Sequence, residues 1–188
     1  MKLLFEMMVF GSDGQRAGWL DRVLVEPTRR EVTHVVVRTE RVSEEVLLAV
    51  SQVQGSADGR LLLHVTSDRL ENLPRYYEGR VSSPPAGRVD TAVVREPSRL
   101  RSQLDAALNV SPGTVELGPE ARAVTACGSD GWLVGLATDL PTGRISEVFV
   151  GGLGGRIARI PGAWVAELRP GAVVLSATSE QLGQLMGI

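Results

Sequence analysis

Sliding the 188-residue chain along itself brings out a second copy of its own pattern, and this repeat limits the possible folds more than any other feature. Gly11-Ser12-Asp13-Gly14 followed by Gly18 lies over Gly128-Ser129-Asp130-Gly131 followed by Gly135, with the same spacing. Pro27-Thr28 and Arg30 then match Pro141-Thr142 and Arg144, and the run Val32 to Val37 lies over Ile145 to Val150. Gly59 through Leu70 matches Gly171 through Leu182 without a gap. Agreement at glycines, turn residues and apolar positions in one order marks a duplication, and a unit present only twice predicts tandem small domains rather than a solenoid.

Each unit reads as β. Short runs rich in β-branched residues (Val23 to Val25, Val32 to Val37, Val46 to Val50, Leu61 to Val65) are separated by turn signals at Ser12-Asp13-Gly14, Pro27-Thr28 and Asp58-Gly59. That pattern predicts a small barrel or sandwich. Thr66-Ser67-Asp68-Arg69-Leu70 then supplies a hydroxyl cap and a first-turn acid for a short helix, which Pro74 stops. Thr178-Ser179-Glu180 starts the same element in the second unit, with Leu182 and Leu185 on its packing face. The expected organisation is all-β: a first domain over 1–76, a linker over 77–118 and a divergent second domain over 119–188. Within the linker, Val89 to Val94 reads as a strand and Pro97 to Asn109 as a short helix with Leu100, Leu104 and Leu108 at helical spacing.

The second unit departs from the first in two places. Between Gly18 and Pro27 lie eight residues, but between Gly135 and Pro141 only five, an odd shortening that would turn a strand over without a bulge. Gly151-Gly152-Leu153-Gly154-Gly155 also replaces the charged Arg38 to Glu45 region.

Composition narrows the function classes. Basic and acidic residues nearly cancel (20 against 22) and are spread evenly, and only 4% of residues are aromatic, so neither a cationic footprint nor a set of stacking platforms marks a nucleic-acid binder. Lys2 is the only lysine, which removes lysine-based chemistry elsewhere. Uncharged stretches reach only 12 residues, Val46 to Ala57, against the roughly 20 a membrane span needs. The lone Cys127 has no internal disulfide partner, and Glu6 interrupts the apolar start too early for a secretory signal, so a cytoplasmic location is expected.

No motif in the chain carries a reaction. In the Gly151 to Gly155 run, Ile157 stands where a dinucleotide fingerprint needs its third glycine, and no lysine follows for a phosphate loop. His34 and His64 match Glu147 and Ser176 in the other repeat and have no ligand at metal-binding spacing. Asp13 and Asp130 precede glycines and read as turn residues, and Cys127 has no adjacent His to act as its base. Trp19, Trp132 and Trp164 read as core or inter-domain packing, with none lying over another in the repeat. Tyr76-Tyr77, at the exit of the first unit, reads either as an interface or as packing for the linker.

Ser-Asp-Gly-x-x-x-Gly, Pro27-Thr28, Val-Thr-His-Val-Val-Val, Glu45-Val46-Leu47-Leu48-Ala49-Val50 and Leu-x-Val-Thr-Ser-Asp-x-Leu together resemble the PRC-barrel domain, well over 1–76 and less well over 119–188. That family takes its name from the cytoplasmic domain of the photosynthetic reaction centre H subunit and includes the C-terminal domain of a ribosome maturation factor. The resemblance implies two tandem small PRC-type β-barrels, each ending in a short helix, that act as a protein-interaction or scaffold module. It brings no catalytic residues and no cofactor. The partner is then another protein or a second copy of the chain, with Tyr76, Tyr77 and Trp132 as the candidate surface. Alternatives are a ribosome- or RNA-linked factor, a membrane-associated role through a membrane-bound partner, and a small-ligand site in a cleft between the barrels.

Overall fold

The computed structural model describes residues 1–40, 44–70, 73, 76, 110–111, 113–125, 128–140, 142–152, 155–178, 180–181 and 184. The expected strand Val89–Val94, the expected helix Pro97–Asn109, and Pro74, Tyr77, Cys127, Leu182 and Leu185 lie outside them.

The fold is all-β, as the spacing of β-branched runs and turns implies. The first half forms β1 (Lys2–Leu4), β2 (Met8–Phe10), β3 (Arg16–Glu26), β4 (Glu31–Thr39), β5 (Glu45–Ala49), β6 (Val53–Ala57) and β7 (Arg60–Leu63), then the single-turn helix α1 (Ser67–Leu70). The second forms β8 (Val115–Leu117), β9 (Arg122–Thr125), β10 (Gly128–Thr138), β11 (Ile145–Gly151), β12 (Ile157–Pro161), β13 (Val165–Arg169) and β14 (Ala172–Leu175). Local chemistry sets the hairpins. Asp58 and Gly59 both take positive φ (50° and 72°) in the two-residue β6–β7 turn, as a type I′ hairpin requires. At the matching β13–β14 turn, Pro170 precedes Gly171 with φ 67°, the pairing a type II turn favours. After β14, the Thr178 hydroxyl accepts from the Gln181 N–H (3.2 Å) and the Gln181 side chain accepts from the Thr178 N–H (2.9 Å), a capping box.

Among the described residues, the strands lie in two seven-stranded mixed sheets, and neither ladder closes into a barrel. The first runs β5-β4-β3-β2-β7-β6 and the second β12-β11-β10-β9-β14-β13. Each takes its seventh strand from the other half of the chain. β8 pairs with β3 of the first sheet (Val23↔Leu117, Val25↔Val115), and β1 pairs with β10 of the second (Leu3↔Leu136, Leu4↔Gly135). The chain crosses between sheets at one peptide: the Phe5 N–H donates to Val134 in the second sheet, whereas the Glu6 N–H donates to Leu20 in the first. Glu6 takes a left-handed φ of 64° at that crossing.

These ladders revise the alignment of the repeats. The Leu20 N–H donates to Met7 O (3.0 Å) and the Leu133 N–H to Ala121 O (2.7 Å), so Gly18-Trp19-Leu20 matches Gly131-Trp132-Leu133. Both hairpins carry bulges at matching places, between Leu20 and Arg22 and between Leu24 and Val25 in one, and between Leu133 and Gly135 and between Ala137 and Thr138 in the other. Gly135 is therefore the repeat counterpart of Arg22, not of Gly18, and the expected odd shortening is absent, since Leu20 and Leu133 are 113 residues apart and so are Val32 and Ile145, with bulges at matching places. Two further expectations fall with it. Trp19 and Trp132 are repeat counterparts, and the second Gly-Ser-Asp-Gly lies inside β10 rather than in a turn.

One apolar core joins both sheets. Leu3, Leu20, Val35, Leu61, Leu117, Leu136, Val148 and Ile160 are each at most 1% exposed and belong to one cluster. A second cluster lies on the outer face of the first sheet, where Leu24, Val36 and Leu47 pack under Tyr76 and Val110. With both faces covered, β4 and β5 read as the unbroken apolar runs Val35-Val36-Val37 and Val46-Leu47-Leu48. β12, buried on one face only, alternates Ile157-Ala158-Arg159-Ile160-Pro161. At Gly135 the exchanged strand comes so close that an added Cβ would sit 2.3 Å from Leu3 O. Gly135→Ala should therefore push β1 off β10, and Leu117→Ala should cost about 2–5 kcal/mol of stability by leaving a cavity in the shared core. Urea denaturation followed by circular dichroism should show each variant unfolding in a single transition displaced to lower denaturant.

Candidate functional site

The two tryptophan rows, related by the repeat, are where the halves differ most. In an antiparallel ladder, residues directly opposite one another share a face. Across the first sheet the row is Met8, Trp19, Arg38, Glu45, and across the second it is Arg122, Trp132, Gly151, Ile157. Beyond Met8, itself 38% exposed, the first row is closed by charge. Arg16 lies over the Trp19 ring at 4.5 Å and Arg38 at 6.0 Å, while Arg16 pairs with Glu40 (3.2 Å) and Arg38 with Asp21 (3.6 Å). In the second row Gly151 and Ile157 stand in for Arg38 and Glu45. The Trp132 ring lies against Gly151, where a Cβ would come within 2.8 Å of Nε1, and Arg122 sits 5.8 Å from the ring. Trp132 stays 44% exposed and Ile157 55%, so the row ends in open apolar surface.

Beside the first row the outer face is sealed. Tyr76 is buried over Leu24, Val36 and Leu47, and its N–H donates to Glu45 O of the edge strand β5 at 2.6 Å. Arg22, only 7% exposed, is held by Asp21 (3.0 Å), Glu45 (3.8 Å) and Glu116 of the exchanged β8 (3.7 Å). This network binds β3, β5 and β8 together from outside the core. Its counterpart on the second sheet is Gly135, and there the positions of His34 and Leu47 are taken by Glu147 and Arg159, joined by two hydrogen bonds of 2.9 Å.

The remaining sequence candidates have structural roles. Asp13 accepts from the Ser67 hydroxyl (2.7 Å), the Ser67 N–H (3.1 Å) and the Gln15 N–H (3.2 Å), tying the first turn to the start of α1. Asp130 lies in β10. His34 is buried with Nδ1 3.0 Å from the Thr33 hydroxyl, and His64 is exposed. Gly151 ends β11, the Gly152 N–H donates to Arg156 O at 3.1 Å, and the Gly155 N–H donates to Gly152 O. Trp164 packs on the shared core. Among the described residues, no group of three His, Cys, Asp or Glu side chains could hold a metal ion. No helix among them is long and apolar enough to cross a membrane.

Two cavities accompany these faces. One of about 450 Å³ opens beside Asp13, Arg16, Thr39, Glu40 and Asp68. The other, of about 580 Å³, lies where β1 meets β6, with Lys2, Met7, Asp58 and Ala137 on its walls.

Trp132 was legible as a candidate, but its relation to Trp19 and the role of Ile157 were not. The shared triplet Gly-Trp-Leu at 18–20 and 131–133 was the signal available for both. The chain matches no family model and no curated protein sequence.

Two outcomes follow from the sealed face. Arg22→Met leaves Asp21, Glu45 and Glu116 without their shared cation, and should cost about 3–5 kcal/mol in a urea titration at neutral pH. The hydrogen bond from the Ser67 hydroxyl, helped by the Gln15 and Ser67 N–H groups, holds the Asp13 carboxyl below its usual value of 3.8. A group whose folded value is depressed stabilises the fold above its unfolded value and loses that contribution as the pH falls through the folded one. Melting temperature followed from neutral to strongly acidic pH should therefore fall less steeply below the ordinary carboxylate range for Asp13→Asn than for the wild type.

Proposed function

We propose that this chain is a non-enzymatic protein-interaction module of the tandem PRC-barrel kind, acting in the cytoplasm, and that it meets its protein partner on the outer face of the second sheet at Trp132 and Ile157. The observation that carries the reading is the contrast between the two rows. The first is capped by Arg16, Arg38 and Glu45, and its face is sealed by Tyr76; the second ends in a tryptophan and an isoleucine left in solvent. Exposed aromatic and aliphatic side chains rimmed by arginines, here Arg122, Arg156 and Arg159, match the composition of interface centres. The repeat, the β-rich fold and the PRC-like motifs of 1–76 support the family reading.

Affinity purification of the tagged wild type from its own host, beside Ile157→Asp and Trp132→Ser, tests this. A partner retained by the wild type should be lost from both variants, while their melting temperatures stay close to that of the wild type because both positions are exposed. Equal recovery with all three proteins would place the contact elsewhere.

A further inference from the structure

We infer that the chain is a two-fold dimer fused into one polypeptide, in which each half is a binding partner for the other and the covalent connection is not what holds them together. The strand exchange is reciprocal: β1 of the first half completes the second sheet, and β8, at the corresponding place in the second half, completes the first. In both cases the incoming strand puts a fully buried leucine, Leu3 or Leu117, into the shared core. Away from these strands, the halves meet a second time at the tips of the β3–β4 and β10–β11 hairpins. There the Val32 N–H donates to Gly143 O and the Ile145 N–H to Arg30 O, both at 2.9 Å. Residues 32 and 145, like residues 30 and 143, are 113 apart, so the two bonds are the same bond made twice. Glu31 and Arg144, paired across the halves between them and also 113 apart, mark the two-fold axis.

A contact made twice by equivalent residues around one axis is the geometry of an isologous dimer, and exchange of an identical element between protomers is how domain-swapped dimers form. The partner that fits either half is therefore a second copy of the same repeat, which supplies the seventh strand and accepts one in return. Tyr76 and Val110 pack on the same apolar cluster of the first sheet.

The test uses the intact protein carrying a protease site inserted between residues 83 and 84 and cut after folding. The expected result is that the two pieces co-elute on a sizing column at the mass of the uncut chain and melt in one transition. Elution as two separate species would overturn the inference. Amide exchange on the uncut wild type gives a second, independent reading. Protection at the Phe5 amide, which donates to Val134 O, should lie within roughly tenfold of that in β10, since both open with the same unit. Fast exchange at that amide beside a protected β10 would overturn it as well.

Discussion

The hydrogen bonds that seat β1 on β10 and β8 on β3 are the constraint on which the rest of the molecule depends. A sheet of six strands in either half leaves one edge of its longest strand, β3 or β10, open along the C-terminal portion, and buried backbone N–H and C=O groups need partners. Those partners come from the other half. Because the incoming strands carry Leu3 and Leu117 into the core, the ladder and the apolar cluster are completed in one step. The close approach at Gly135 belongs to the same contact: only a residue without a side chain lets Leu3 O come so near.

Around this frame the halves have diverged in how they treat their outer faces. The first sheet covers its face twice over, with apolar packing by Tyr76 and Val110 and with the Arg22 network that reaches Glu116 on the exchanged strand. Burying a guanidinium is tolerable because Asp21, Glu45 and Glu116 surround it, and the arrangement fixes the position of β8 as well as its burial. The second sheet has Gly135 in place of the arginine and the solvated Glu147–Arg159 pair in place of His34 and Leu47, and it leaves Trp132 and Ile157 exposed.

The sequence made the duplication, the β class and most turns legible because these are local properties. Asp58-Gly59 and Thr178-x-x-Gln181 each state their geometry within four residues. Strand partners are not local. Nothing in Lys2-Leu3-Leu4 or Val115-Glu116-Leu117 says which sheet it joins, since any short apolar strand can extend any open ladder. The repeat itself was misread at one point because Gly-Ser-Asp-Gly is a stronger turn signal than Gly-Trp-Leu. The first copy is a turn, but the second is drawn into β10, and the alignment anchored on it hid the equivalence of Trp19 and Trp132. Tyr76, which from its position reads equally as surface or packing, is buried because Leu24, Val36 and Leu47 form an apolar patch on a face that a simple alternating strand would leave polar.

Sharing one core changes what an exposed apolar residue costs. Leaving Trp132 and Ile157 in water gives up burial that each would otherwise contribute, roughly 1.5–3 kcal/mol for an aliphatic side chain of this size. In an independent domain of about 70 residues such a loss is a large part of the total stability. Here the second sheet is coupled to the first through the exchanged strands and the two-fold bonds between Val32, Gly143, Ile145 and Arg30. The stability contributed by the sealed face of the first sheet therefore also supports the second. One half can therefore leave apolar surface open while the other remains closed.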